Sequence, residues 1–193
     1  MGIHRQLAIA AALLVCAPGT TAAQEAGKVG LTMGFPAAVG IQWHVTDKVA
    51  IRPEFLFSTS SSELSGNSIA TESDGWAFGT NISALFYLST DDRLRTYVAP
   101  RFTWSGTNTT SELSGPVINP LTGETITESE STGNAYSFGG SFGAQYGLGE
   151  RFVVFGELGL SYAHATTESN LSRFKTTTNG FGTRAAVGVV FFP

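Results

Sequence analysis

The sequence predicts an all-β protein: an eight-stranded antiparallel up-and-down transmembrane β-barrel. Apolar and polar residues alternate with a period of two through eight segments, charged side chains within those segments fall on the polar face, and short turns alternate with long connections. The composition agrees with alternating strands. Charged residues are only 13% of the 193 residues, yet the mean hydropathy is only +0.09.

The first 23 residues have the features of a secretory signal peptide. Arg5 gives a basic start, residues 7–15 form a short apolar core, and small residues precede the expected cleavage point. We expect this segment to be removed, which leaves residues 24–193 as a single barrel domain. One alternative is an N-terminal membrane anchor, for which the apolar run is short. Another is lipid attachment at Cys16, the only cysteine, for which the preceding valine is too large.

The eight alternating segments follow Lys28. Each sets apolar residues against small or polar ones, and most reach the length of about 9 to 11 residues that a tilted strand needs to cross a bilayer. The mature chain has no run of roughly 18 apolar residues, as a membrane-spanning helix would require. In chain order the segments are residues 29–35, 39–45, 49–58, 76–88, 94–105, 136–148, 152–162 and 181–191.

The placement of charge separates a membrane barrel from a soluble one. Every mid-segment Arg and Glu shares a face with Gly, Ser and other small residues, whereas the opposite face is apolar and rich in aromatic residues near the segment ends. An apolar exterior around a polar interior is typical of membrane barrels. A soluble lipocalin-like barrel has the reverse arrangement.

The connections between the segments alternate in length. Three are tight turns and three are long stretches rich in Ser, Thr, Gly and Asn, while the first hairpin has almost no outer connection. Because membrane barrels have short periplasmic turns and long extracellular loops, we expect the long connections to be extracellular. The tight turns are residues 47–48, 89–92 and 149–150, and the long connections are residues 59–74, 107–133 and 167–177.

Two internal repeats support this arrangement. The motif Ser-Glu-Leu-Ser-Gly at residues 62–66 recurs at residues 111–115, an offset of 49, and the motif Val-Ala-x-Arg that ends at Arg52 recurs at the same offset, ending at Arg101. Each even-numbered segment also contains an apolar residue followed by Gly, any residue and a polar residue, with the Gly on the inner face. We therefore interpret the repeated unit as a β-hairpin.

These features together resemble the small outer-membrane barrels of the OmpA transmembrane-domain and OmpX type. The resemblance covers residues 27–193 and includes the last strand, which ends in Phe191-Phe192. It implies a bacterial outer-membrane location, surrounding outer-membrane lipids, and an aromatic signal in the last strand that the insertion machinery reads. The family ends on the aromatic residue itself, so Pro193 is a departure from its pattern.

The lumen of an eight-stranded barrel is just wide enough for side chains to fill it. We expect a hydrogen-bonded polar network there, with Glu157 and Arg184 paired across adjacent strands, because an unpaired buried charge is costly. The residues that the alternation places inside are Arg52, Glu54, Arg95, Arg101, Glu157, Arg184, Gln42, His44, Asn81, Gln145 and Tyr87.

The charge balance of this interior leaves two functional interpretations. In the first, the interior side chains form a structural plug, and the protein has a structural or adhesion-like surface-interaction role. Four arginines against two glutamates also leave the interior about two charges positive. The alternative is therefore a narrow, weakly anion-preferring pore.

The long connections 59–74 and 107–133 are acidic and contain no Lys or Arg. They are expected to form a solvated, mobile surface. An extracellular partner could be recognised through them, or divalent cations could bridge them weakly, although no spacing matches a defined metal loop. Their carboxylates are Glu63, Glu72, Asp74, Glu112, Glu124, Glu128 and Glu130.

We expect no enzymatic activity. The stretch around His164 faintly resembles the His and Ser site of barrels that modify lipid A, but Thr166 stands where Ser is required and the sequence offers no carboxylate partner. A lipid A-modifying enzyme is thus a distant alternative. We also expect no cofactor and no metal, and the net charge of −4 opposes nucleic-acid binding.

Overall fold

A computed structural model describes residues 26–36, 38–66, 69–89, 93–118, 123, 125–170 and 175–193. The expected signal peptide, residues 1–23, lies outside the described residues. Within the described ranges, no helix is both long enough and apolar enough to cross a membrane.

Eight antiparallel strands pair in chain order and close into a barrel, so the predicted fold class is confirmed. Every strand neighbours the strand that precedes it, and the first pairs with the last. The strands are β1 (Val29–Phe35), β2 (Ala38–Thr46), β3 (Val49–Gly66), β4 (Ile69–Tyr87), β5 (Leu94–Ile118), β6 (Thr125–Gly147), β7 (Phe152–Ser169) and β8 (Lys175–Phe191).

Side-chain burial alternates along the strands as the sequence alternates. In β2, Gln42 and His44 are fully buried in the barrel, whereas Ile41 and Trp43 are more than two-fifths exposed on its exterior. Successive side chains of a strand point to opposite faces of the sheet, so the apolar set is on the outside all around the barrel. A continuous apolar exterior of this kind requires apolar surroundings.

The strands are staggered around the barrel. If directly paired residues are followed as a path from Met33 through one strand after another, the last residue reached is Asn179 in β8. In the closed barrel, however, Met33 itself pairs with Val189, which is ten residues further along β8. A stagger of this size tilts the strands by about 35–45° from the barrel axis. The path runs through Val39, Phe55, Thr80, Trp104, Tyr136 and His164.

The prediction that residues 59–74, 107–133 and 167–177 are loops is wrong. Most of these residues belong to strands, and the pairing of β3 with β4 continues to the pair Gly66 and Ile69. The apolar alternation stops there because both faces are mostly polar, which is the usual sequence signature of a loop. Backbone hydrogen bonds and β-branched Thr residues still maintain an extended pair without an apolar face.

The β1–β2 hairpin is much shorter than the other three hairpins. β8 pairs with β1 only as far as Val187, and β3 pairs with β2 only as far as Leu56. Beyond these two residues, β3 to β8 continue as a six-stranded open sheet. Among the described residues, its edges are β3 after Leu56 and β8 before Val187.

An aromatic side chain marks the end of the apolar exterior on each strand of that open sheet. We call these six residues the aromatic girdle, and the parts of β3 to β8 beyond them the protruding sheet. Such girdles of aromatic residues flank the apolar band of membrane barrels. The girdle consists of Phe57, Trp76, Trp104, Tyr136, Tyr162 and Phe181.

Apolar side chains fill the lumen at the end with the tight turns. Phe155, Val190 and Phe192 pack together there with Val153, and the Phe192 amide donates to the Arg151 carbonyl in the β6–β7 turn at 2.8 Å. A second buried cluster of Ala50, Leu85, Tyr87, Tyr97 and Ala99 lies on the facing wall. The polar network begins above this apolar base.

Candidate functional site

Glu157 is the centre of the polar network inside the barrel. Its Oε1 accepts hydrogen bonds from Nη2 of Arg52 and, at 2.8 Å, from the hydroxyl of Tyr97. Its Oε2 accepts from Nη2 of Arg101 at 2.9 Å and from the hydroxyl of Ser141 at 3.3 Å. With only 3% of Glu157 exposed, these four donors replace the water that the carboxylate loses.

Glu54 supplies the second carboxylate. Its Oε1 lies 3.7 Å from Nε of Arg52, and its Oε2 lies 3.5 Å from Nη1 of Arg101. Each arginine therefore bridges both carboxylates, and two positive charges balance two negative ones. We call Arg52, Glu54, Arg101 and Glu157 the ion-pair quartet; all four residues are buried.

A ring of neutral polar side chains lies between the quartet and the apolar base. The Gln42 amide donates to the Tyr87 hydroxyl at 3.2 Å, which donates to Oε1 of Gln145 at 2.8 Å; Gln145 in turn donates to Oε1 of Gln42 at 2.9 Å. Nε2 of His44 lies 3.0 Å from Nε2 of Gln42, and the imidazole stacks on Tyr87 with 5.5 Å between centroids. This closed ring satisfies groups that burial would otherwise leave without partners.

Arg95 and Asn81 are two further predicted interior residues. Arg95 lies over the ring of Tyr87 at 5.8 Å and donates to the Asp47 carbonyl at 3.4 Å, near the tight turns. Asn81 is buried opposite Glu54 in the β3–β4 register. Both side chains thus face the lumen.

The predicted pairing of Glu157 with Arg184 is wrong. The β7–β8 register sets Glu157 opposite Ala186 and sets Arg184 opposite Gly159, two residues towards the protruding sheet. Glu157 pairs across the lumen with the quartet arginines instead. Within the described ranges Arg184 forms no salt bridge, and its Nε has no hydrogen-bond partner.

Two network residues, Tyr97 and Ser141, were not named in the predicted interior network. The period-two alternation places both on the small-residue inner face of their strands, so the signal for them is in the sequence. Tyr97 fits because residue 143, opposite it in the β5–β6 register, is glycine; a Cβ atom there would overlap the phenol ring. Glycine in a strand commonly permits such a close approach.

His164 is on the outer face of β7 and not in the lumen. Its ring stacks on Tyr136 with centroids 4.8 Å apart, and its Nδ1 lies 2.6 Å from Oδ1 of Asn179. The Tyr162 hydroxyl donates to the same Asn179 oxygen at 3.2 Å. These contacts join His164 to the aromatic girdle.

Four glutamates lie side by side across the protruding sheet. The strand registers pair Glu63 with Glu72, Glu72 with Glu112, and Glu112 with Glu128, so one exposed carboxylate comes from each of β3 to β6. Directly paired residues share a face, and like charges in such pairs are destabilising. We call these residues the glutamate row. Among the described residues, no group of three or more His, Cys, Asp or Glu is arranged to hold a metal ion.

The closed barrel, its apolar exterior and its polar lumen define the fold class of small outer-membrane β-barrels. A major outer membrane protein from Thermus thermophilus shares this fold. It matches with a TM-score of 0.55 at 12% identity, over 86% of this chain and 99% of that one. The predicted resemblance to small eight-stranded outer-membrane barrels is confirmed at the level of the fold.

Two further solved barrels are similar with lower scores. CarO from Acinetobacter baumannii matches with a TM-score of 0.45 at 14% identity, over 87% of this chain and 98% of that one. Ail, the attachment invasion locus protein of Yersinia pestis, matches with a TM-score of 0.41 at 12% identity, over 87% of this chain and 99% of that one. No protein-family model matches the sequence, and no curated protein does.

Proposed function

We propose that the chain is a bacterial outer-membrane barrel that anchors its protruding sheet outside the cell for contact with an extracellular partner. The observation that carries this proposal is the change of exterior at the aromatic girdle. Below the girdle the exterior is apolar, whereas the strands continue beyond it with mostly polar residues, among which isolated apolar side chains such as Leu64 occur. β5 has 25 residues, more than twice the length that crosses a bilayer.

The free edges of the protruding sheet give it a means of binding. An edge strand presents unpaired backbone amides and carbonyls, to which an extended segment of another protein can add as a further strand. The β3 edge also carries Glu63, where the glutamate row begins. A basic side chain on the added strand would lie beside Glu63 and offset the repulsion within the row. We therefore propose an extended basic polypeptide segment as the partner.

The filled lumen favours anchoring over transport. Arg52, Gln42 and Gln145 are 0% exposed, and the quartet and the neutral ring occupy successive levels of the barrel. An eight-stranded barrel has room for little else. The narrow pore is therefore the second candidate, and only the excess of arginine over glutamate favours it.

The exterior below the girdle is the surface that we propose to contact outer-membrane lipids. The last strand provides the proposed contact with the insertion machinery, since Val187, Val189 and Phe191 form its outward apolar set. The proposed orientation puts the tight turns in the periplasm and the protruding sheet outside. A lipid A-modifying activity is the most remote candidate, because His164 contacts Tyr136 and Asn179 and, among the described residues, forms no hydrogen bond with a hydroxyl group.

The proposal is tested by shortening the protruding sheet at one edge. Replacing residues 61–74 with Asn-Gly joins Ser60 to Gly75, which are already paired, through a two-residue hairpin turn. Bacteria that display the full chain are expected to adhere to wells coated with an extended, lysine-rich synthetic peptide, and the shortened variant is expected to lose most of that adhesion. The matched control shortens the opposite edge, replacing residues 167–176 with Asn-Gly between the paired residues Thr166 and Thr177.

A separate variant tests whether the negative charge of the glutamate row contributes to partner binding. E63Q/E72Q/E112Q/E128Q removes the glutamate row and keeps side-chain size, and D47N/E150Q is the control at the turn end of the barrel. We expect adhesion to fall several-fold in the first variant and to persist in the second. Equal adhesion by the full chain and the 61–74 replacement would overturn the surface-interaction proposal.

A further inference from the structure

The barrel wall has a gap at the level of the aromatic girdle. The β1–β2 hairpin turns at Phe35-Pro36, where Phe35 pairs with Val187. On β8 the apolar exterior continues six residues further, to Phe181, whose side chain is 86% exposed. The free edge of β8 therefore begins below the top of the apolar band, whereas the free edge of β3 begins at its girdle residue Phe57, and on the β8 side the gap faces the surroundings that the band requires.

An apolar cavity lies at this gap, beside the free edge of β3. It has a volume of about 370 Å³, which is within the range of small-molecule sites. Pro36 at the hairpin turn lines it together with Leu56 and Thr103 from the lumen face. Phe57 and Phe78, a paired couple on the exterior face, line its outer side. The cavity thus reaches from the exterior to the lumen.

A polar cavity adjoins it inside the barrel. This cavity has a volume of about 50 Å³ and is lined by Arg101, Arg184, Ser137, Ser141, Ser161 and Thr103. Thr103 lines both cavities, so they are neighbours on either side of this residue. Nε of Arg101 and Nε of Arg184 have no hydrogen-bond partner, and Arg101 is only 8% exposed. The ion-pair quartet is neutral, which leaves the charge of Arg184 uncompensated by a salt bridge within the described ranges.

We propose that the two cavities form one binding site for a long-chain carboxylate, which enters from the membrane through the gap between β3 and β8. The apolar cavity takes the alkyl chain, and Arg184 with Arg101 binds the carboxylate. A space of about 50 Å³ holds a few water molecules or one carboxylate and is too small for a glycerophosphate headgroup. This inference rests on the proposed membrane location, because the gap must open to lipid.

The site is tested by titrating the chain, inserted in phosphatidylcholine nanodiscs, with dodecanoate in a calorimeter. We expect saturable binding with one site per barrel. Dodecanol, which has the chain and no charge, is expected to bind at least about tenfold more weakly, since a charge-assisted hydrogen bond contributes about 1.5 to 3 kcal/mol. Butyrate, which has the charge and a short chain, is expected to bind at least about tenfold more weakly as well, because it lacks most of the methylene groups that the apolar cavity would bury.

Two variants test the two halves of the site. R184Q removes the uncompensated charge and is expected to weaken dodecanoate binding at least about tenfold, whereas R151Q at the exposed β6–β7 turn is the matched control. S58W fills the gap, since Ser58 lines the apolar cavity on the free edge, and is expected to abolish binding. Its control, S62W, adds the same side chain further out on that edge.

The outcomes separate the two proposals. Binding that R184Q and S58W weaken and that R151Q and S62W leave unchanged supports the site. An inserted barrel with no saturable dodecanoate binding, or with equal binding in all four variants, overturns the site and leaves the membrane proposal standing. Recovery of the chain in solution without detergent would overturn the membrane location itself. Heat-modifiable gel migration before each titration checks that the barrel is folded.

Discussion

Arg52 and Arg101 bind the two oxygens of one buried carboxylate. Arg52 donates to Oε1 of Glu157 from β3, and Arg101 donates to Oε2 from β5 at 2.9 Å. These arginines occupy the same position of the Val-Ala-x-Arg repeat, 49 residues apart in the sequence. The repeated hairpin unit therefore supplies two equivalent arginine donors, whereas the acceptor Glu157 occurs once, on β7.

Removal of the central carboxylate should strongly destabilise the barrel. E157Q keeps the shape of the side chain but leaves Arg52 and Arg101 with one carboxylate between them. Breaking a buried ion pair in this way costs about 3 to 5 kcal/mol. Urea unfolding in lipid vesicles measures the difference. The control is E168Q, because the Glu168–Lys175 pair is more than three-fifths exposed and should contribute at most about 1 kcal/mol; equal losses in both variants would contradict the central role of Glu157.

A methyl group at residue 143 should also destabilise the barrel. A Cβ atom there would overlap the Tyr97 ring, and Tyr97 in turn donates to Glu157. Overpacking of this kind costs about 1 to 3 kcal/mol. The matched control is G156A, since a Cβ atom at Gly156 meets nothing within 4 Å. The prediction fails if G143A and G156A unfold at the same urea concentration.

The native chain should not conduct ions steadily. The buried quartet and the Gln42–Tyr87–Gln145 ring fill the lumen, and R52A/E157A would remove two of the largest polar side chains from it. We expect no stable current from the native chain in planar bilayers. The double variant should give small, anion-preferring openings, because Arg101 and Arg184 remain. Native currents as large as those of the double variant would favour the pore over the plug.

Trypsin added to intact cells should cut the β7–β8 hairpin. Lys175 is exposed at the start of β8, and the protruding parts of β3 to β6 contain no Lys or Arg. Mass spectrometry should therefore find cleavage after Lys175, or after the neighbouring Arg173, while the remaining barrel keeps its heat-modifiable migration. R173Q/K175Q should resist cleavage. If cleavage requires permeabilised cells, the proposed orientation is reversed.

The sequence predicted the faces of the strands better than their lengths. Alternation placed Gln42, Arg52 and Glu157 on the inner face because one residue of register reverses every side chain. Alternation did not identify the strands of the protruding sheet, because apolar residues at every second position occur only in strands that pack against lipid or a core. Where both faces of a strand meet water, as beside Glu63 and Glu128, composition does not distinguish a strand from a loop.

The sequence by itself determined the strand number, the apolar exterior and the polar lumen, since each follows from a period of two and a count of turns. Only the tertiary structure decided which interior charges meet. The ten-residue stagger shifts each strand along its neighbour. Arg184 is therefore opposite Gly159 and not opposite Glu157 on the adjacent strand, whereas Arg52 and Arg101 contact Glu157 across the lumen. The same stagger, together with the early turn at Pro36, leaves the gap between β3 and β8, because two strands end below the top of the apolar band.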